Sequence, residues 1–300
     1  MQIGEELTLA DGPYTVRIAP AAGARLTRLQ WRRGSRLHDL VVPWPDVAAF
    51  DPHDWPKAGA FPLAPFNNKL GGARFRWQGR EVQLEPAPGQ RHALHGFGHR
   101  AAWTVERATG REALLRLRHP AGAHRWPWPF TLSMAVAVGE GGVGVQLALR
   151  NDAAEAMPAA LGWHPFHPLP CAAARGRGLR LKAGAREDLG RDGLRRLLPA
   201  AAPPRAHRCR LTRPGTHVFT DWDGSMALAL DEAFDLHVRS TGAPHLLCHV
   251  PAHARHACLE PVSAVPGALA HDGAQWRDAL ALPPGGVRRL SWHCSAQAIA

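Results

Sequence analysis

Hydrophobic positions along this chain recur every second residue far more often than every third or fourth. Thr131-Leu132-Ser133-Met134-Ala135-Val136-Ala137-Val138 alternates, Gly139-Glu140-Gly141-Gly142 follows, and Val143-Gly144-Val145-Gln146-Leu147-Ala148-Leu149-Arg150 alternates again. A period of two sends successive side chains to opposite faces of a strand, so these runs read as a β-hairpin. Phe75-Arg76-Trp77, the Gln78-Gly79 turn and Glu81-Val82-Gln83-Leu84 read as a second hairpin. Residues 103–106 and 113–118 make a third pair. Residues 179–182, 225–230 and 236–239 continue the pattern, and 286–294 read as a closing strand.

Long amphipathic helices are not evident. With 30 Gly and 27 Pro set between short strands, the chain reads as all-β, a sandwich or a barrel. The Pro-rich stretches 43–65 and 199–214 read as long connections, which in a compact β domain often carry function. No repeat of 20 to 50 residues is visible, which argues against a propeller. No linker poor in apolar residues interrupts the chain, so residues 1–300 read as one domain. A hydrophobic content of 45% is enough for a sizeable core.

The net charge of +11 narrows the partners less than it first suggests. Arg supplies nearly all of the positive charge, Lys standing only at 57, 69 and 182. The basic clusters at 32–36, 175–186 and 195–196 are short and separate. No basic helix interleaved with aromatics appears, so specific nucleic-acid binding is not expected. Five cysteines, at 171, 209, 248, 258 and 294, are an odd number without a CxxC pair. They imply neither a disulfide framework nor a zinc site. The N-terminal residues lack the charged and apolar regions of a leader, and no run of about 18 apolar residues occurs. A soluble cytoplasmic protein is the expectation.

Three segments carry candidate chemistry. The first is His92-Ala93-Leu94-His95-Gly96-Phe97-Gly98-His99. Three histidines invite a metal reading, but no carboxylate accompanies them. Glycines 96 and 98 leave space above the backbone, which suits a ligand approaching His95; a turn histidine is the plainer alternative. The second is Gly162-Trp163-His164-Pro165-Phe166. A residue ahead of Pro is held extended, so His164 is stiffly placed, either as a fixed acid or as a core histidine donating to a carbonyl. The third is Cys258-Leu259-Glu260-Pro261. Apolar neighbours favour burial of Glu260, and burial raises a carboxyl pKa toward that of a base useful near neutral pH. The alternative is a surface strand residue. Two imidazoles and a carboxylate are a minimal kit for moving protons on a neutral polar substrate.

In order along the chain stand Phe61-Pro62-Leu63-Ala64-Pro65-Phe66-Asn67-Asn68-Lys69, Gly72-Ala73-Arg74-Phe75, Ala93-Leu94-His95-Gly96 with Trp103, Leu161-Gly162-Trp163-His164-Pro165-Phe166, Phe219-Thr220-Asp221-Trp222-Asp223-Gly224 and Leu259-Glu260-Pro261-Val262-Ser263. This series resembles the aldose 1-epimerase (mutarotase) family, from about Leu7 to Trp292. The resemblance implies an antiparallel β-supersandwich, galactose mutarotase-like, with a sugar in an open cleft. It implies Glu260 as the base for the anomeric hydroxyl, His164 as the acid for the ring oxygen, and His95 as a hydrogen-bond partner near that oxygen. It places Asn68 and Lys69 on sugar hydroxyls. It further implies that Glu260 and His164 face one cleft on opposite sides of a sugar-sized space, with His95 beside His164. No metal or organic cofactor is called for, since the chemistry is proton transfer. The partner is a small sugar, and the chain a monomer or weak homodimer.

There are departures from the family pattern. Lys69 stands where the family carries Arg, losing the bidentate fork. Thr216 stands where an Asp often precedes Phe, and Asp221 and Asp223 are candidates to compensate. Phe166-His167 replaces a Tyr-Phe type pair, and Pro266-Gly267 replaces Pro-Asp. Two alternatives follow. The Arg surplus suggests a sugar-phosphate mutarotase, and the lost binding residues suggest a non-catalytic carbohydrate-binding protein of the same fold.

Overall fold

The period-two runs fold as strands. In the computed structural model, which describes residues 4–45, 49–172, 174–189, 201–252, 255–271 and 274–299, Phe130–Gly139 and Gly142–Asn151 pair antiparallel along their whole length, with Gly139 opposite Gly142. Among the described residues the long strands form two antiparallel sheets, neither of which closes on itself. One sheet has nine strands. It runs Thr104–Ala108, Glu112–His119, Phe130–Gly139, Gly142–Asn151, Val287–Ala298, Phe234–Thr241, Ser225–Ala229, Leu179–Ala183, Arg205–Cys209. The other has ten. It runs Leu7–Asp11, Tyr14–Ala19, Arg25–Arg33, Ala60–Leu63, Gly162–Pro168, His256–Val262, His245–Val250, Gly215–Thr220, Ala185–Asp188, with Arg36–Asp39 added on Arg25–Arg33. The architecture is the expected supersandwich.

Alternation explains what fills the space between the sheets. Trp163 of the ten-stranded sheet lies 6.0 Å, ring to ring, from Trp292 of the nine-stranded one. Ala257 and Leu259 join the same core, which runs through both sheets from Leu9 to Cys294. Cys258 and Val262 of the same strand, with Phe61, Leu63 and Phe166, belong to a second apolar cluster. That cluster covers the opposite face of the ten-stranded sheet. Trp44, Phe50 and Trp55 complete it, and all three come from the Pro-rich connection between Arg36–Asp39 and Ala60–Leu63. The connection thus wraps aromatic cover over the sheet face that carries the candidate chemistry.

Three features depart from the sequence reading. Strand Ala60–Leu63 lies inside the stretch read as a long connection, in the middle of the ten-stranded sheet. Pro62 hides it, because a central Pro argues against a strand. The strand meets Arg25–Arg33 only at Leu26↔Ala60, so few ladder bonds are asked of it on that side. Strand Arg205–Cys209 likewise interrupts the 199–214 connection, though at a sheet edge. Residues 195–196 and 199–200 lie outside the described residues. A seven-residue helix, Ala274–Leu280, was not signalled by any helical period. No described helix is long and apolar enough to cross a membrane.

Candidate active site

Sheet register brings two of the three chemistry-bearing segments together. Gly162 pairs with Val262 and Phe166 with Cys258, so His164 falls opposite Glu260 on adjacent central strands. Both side chains point to the face away from the main core, since Trp163 and Leu259 point into it. His164 Nε2 lies 3.3 Å from Glu260 Oε1, and both side chains are buried. Pro165 and Pro261 follow the two residues directly, holding each in extended backbone.

The third residue arrives on a loop. Lys69 and Leu70 pair with Leu94 and Ala93, and the His95 amide donates to the Asn68 carbonyl at 2.9 Å. His95 has φ 63°, an uncommon conformation for a residue with a side chain. It turns the ring onto His164, edge to face, with centroids 4.9 Å apart. Gly96 makes this possible. Its own φ is 69°, and a Cβ there would stand 2.0 Å from the Ala64 carbonyl oxygen. That oxygen also accepts from the amides of Phe97 and Gly98. Gly96→Ala must therefore move the loop carrying His95. We expect it to cost about 1–3 kcal/mol of stability and to weaken whatever His95 binds; an unchanged melting temperature would refute this.

One donor atom from each of His95, His164 and Glu260 lies within 4.8 Å of the others. His95 Nδ1, His164 Nδ1 and Glu260 Oε2 are buried without a hydrogen-bond partner. Unpaired buried polar atoms are costly, and a polar ligand over the trio would relieve that cost. Burial holds the Glu260 carboxyl well above the usual carboxylate range. Burial first, then the charges of His95 and Arg25, holds His164 well below the usual imidazole range. His95 is pushed down to about 3, mainly by burial and then by Arg100 and Lys57. A neutral carboxylic acid facing a neutral imidazole is the state these influences favour.

The trio is the arrangement expected except in one respect. His95 lies beside His164, but no sugar-sized space separates His164 from Glu260. Their strands are hydrogen-bonded neighbours, and a ligand must lie over the pair instead of between its members. Asn68 and Lys69 join the same corner through the backbone. The Asn68 side-chain oxygen accepts from the Lys69 amide at 2.7 Å. Asp221 and Asp223 are placed elsewhere. The Asp221 carboxylate accepts from the Ala202 amide, and Asp223 accepts from the Ser225 amide at a turn of the nine-stranded sheet. The Asp223 bond, two residues along the chain, is a local turn contact of a common kind. The rest of the histidine-rich segment, beyond the short strand Ala93–Leu94, is turn. Gly98–Arg100 forms a 3-10 turn, His92 Nδ1 accepts from the Gly72 amide, and His99 stacks on Phe61.

Other residues of the site escape sequence reasoning. Phe61, opposite His164 in the register, stacks on its ring at 4.5 Å and 18°. Arg25 is fully buried with no hydrogen-bond partner for its guanidinium among the described residues; the group lies 4.2 Å from the Phe61 ring centroid and 4.7 Å from that of Trp44. His249 pairs with Cys258 on one side and Thr216 on the other, and Thr216 Oγ1 and His249 Nδ1 are 2.7 Å apart. Its parity with Cys258 puts it on the face of Glu260. Only pairing register could have revealed it.

The fold has company among known proteins. The aldose 1-epimerase family model matches residues 5–194, which hold His95 and His164 but stop short of Glu260. The uncharacterised protein YphB of Escherichia coli (strain K12) is 36% identical over 113 residues. That stretch is 37% of this chain and 38% of YphB, so the match spans well under half of that relative's length. A crystal structure of a candidate aldose 1-epimerase from Escherichia coli K12 superposes with a TM-score of 0.78, covering 98% of this chain and 99% of the other at 24% identity. A GalM/aldose epimerase homologue from C. elegans gives 0.77 at 15% identity, covering 99% of both. At such identities the likeness is one of fold.

Proposed function

Because this chain belongs to the aldose 1-epimerase family, we propose that it interconverts the α and β anomers of an aldose by acid/base ring opening and closure. The observation carrying this reading is the His164–Glu260 pair at 3.3 Å, with His95 against it. The two oxygens on the anomeric carbon are bonded to one atom and so lie closer together than the two protein groups. A sugar lying edge-on over the pair therefore offers one oxygen to each. Glu260 takes the proton of the anomeric hydroxyl and His164 gives one to the ring oxygen as the bond from that oxygen to the anomeric carbon breaks. The open-chain aldehyde turns about the next carbon–carbon bond. Closure reverses both transfers and yields the other anomer, so no proton is gained or lost. His95 hydrogen-bonds near the ring oxygen, and Asn68 and Lys69 hold hydroxyls.

Charge bookkeeping is compatible with this cycle. The resting pair carries one exchangeable proton, on Glu260. Moving it to His164 creates the base and the acid together. Burial disfavours that charged form, and a polar substrate over the pair favours it. Asp221 and Asp223 take no part in this reading. The chain acts as one domain, and no residue of a second copy is needed to complete the trio.

Anomer exchange followed by polarimetry or NMR, across a panel of aldoses, tests the proposal. We expect catalysis in the parent and a loss of about a hundred- to ten-thousand-fold in His164→Ala. Saturable sugar binding without faster exchange would instead assign a carbohydrate-binding role. Two imidazoles and a carboxylate can also hold a divalent metal. Exchange that survives exhaustive chelation supports proton chemistry, whereas loss restored by added zinc would assign a metal centre.

A sugar phosphate is the second reading, favoured by a specific observation. Arg100, Lys57 and Lys69 all lie near enough to depress the His95 imidazole. A higher turnover for a hexose 6-phosphate than for the free hexose would establish it.

A further inference from the structure

We propose that the outer face of the nine-stranded sheet carries a second binding site, for a small phosphorylated polyanion. The face is remote from the trio, which sits on the other sheet. Here a groove of about 670 Å³ runs over the strands Leu179–Ala183, Ser225–Ala229 and Phe234–Thr241. That volume suits a small ligand.

Alternation builds the groove. Leu228, Leu236 and Leu179 point into the core, so Ser225 and Ala227 point outward on the middle strand. Both are short side chains, and Ser225 lines the groove as its floor. The flanking strands present long basic ones. Register sets Arg180 opposite Ala227 on one side and His237 opposite it on the other. Arg208 lies beyond Arg180, while Arg239 lies beside Ser225 with His293 behind it. Lys182 extends the first bank. The result is a trough with a small-residue floor and cationic walls.

The charges are mostly uncommitted. Arg180 pairs with Asp235, which Arg177 also approaches. Lys182, Arg208 and Arg239 have no ion pair among the described residues, and all are exposed. Among the described residues one carboxylate lines the groove, that of Asp223, and it accepts from the Ser225 amide. Three free cations face one occupied carboxylate, so the groove complements an anion with several charges. Arg is suited to phosphate by its planar fork. The rings among the lining residues are the imidazoles of His207, His237 and His293, with no Trp, Tyr or Phe beside them. The large aromatic faces on which successive bases stack are therefore lacking among the described residues, which disfavours single-stranded nucleic acid.

The test is calorimetric titration of the full chain with inorganic tripolyphosphate, with anomer exchange measured in parallel. We expect one site per chain. The double variant Lys182→Ala/Arg239→Ala should weaken it by at least about tenfold and leave anomer exchange unaltered. Ser225→Trp keeps the charge but fills the floor, and should weaken binding similarly. Arg74→Ala/Arg76→Ala removes the same charge from an exposed hairpin and should change little. Equal losses in the two double variants would reduce the effect to net charge and overturn the proposal. So would the absence of saturable binding, or tighter binding of duplex DNA through the same residues.

Discussion

Glu260→Gln leaves a folded protein that has lost anomer exchange by about a hundred- to ten-thousand-fold. Gln keeps the shape of the carboxylic acid and can still donate toward His164 Nε2, so packing is preserved. What disappears is the ability to give up and regain a proton. The parent should show a bell-shaped dependence of kcat/KM on pH, because only the state with one proton on the pair is productive. Its two limbs report macroscopic values belonging to the pair, not to either residue alone. A variant with more than a tenth of the parent's kcat/KM would remove Glu260 from the base role.

The same substitution should make the protein more stable near neutral pH. Burial holds the Glu260 carboxyl well above its usual range. Above about pH 4.3, the ordinary value, the unfolded chain has released this proton while the folded chain retains it. Folding stability then falls by about 1.4 kcal/mol for each pH unit until Glu260 ionises in the folded protein. Gln has no such proton. Parent and variant should therefore differ least in acid, with the advantage of Glu260→Gln growing toward neutrality. Melting temperatures across that range test this, and a gap that does not change with pH would refute it. His164 acts with the opposite sign. Its imidazole is held below its usual range, so it stays neutral in the fold where the unfolded chain protonates. That contribution is lost as pH falls below about 6.5.

Much of this was legible in the chain, and the reasons for the exceptions are local. The hairpin of 131–150 could be read because its alternation is uninterrupted and its turn is rich in Gly. Residues 225–230 and 236–239 were found on the same grounds. Strand Ala60–Leu63 was not, because it has four residues, three of them apolar and one a proline. The trio was legible as residue types beside Gly and Pro. Its spacing was not, since the distance from His164 to Glu260 depends on which strands become neighbours. Asp221 and Asp223 were legible as motif residues, but the partners of their carboxylates were not: these depend on the fold, which sets the Ala202 amide against Asp221 and the Ser225 amide against Asp223. Arg25 lay in plain view, but nothing in its neighbours signals a buried guanidinium between aromatic rings.

The prolines after His164 and Glu260 have a consequence for how this protein can change. The two proposed proton carriers belong to stiff central strands, whereas His95, Asn68 and Lys69 come from a loop and a two-residue strand beside it. In the proposed reaction, chemistry and recognition are thus carried by different parts of the chain. On that proposal, insertions or substitutions in the loop alter which sugar is accepted while the pair on the sheet keeps its geometry. A new specificity then arises without the reaction having to be reinvented.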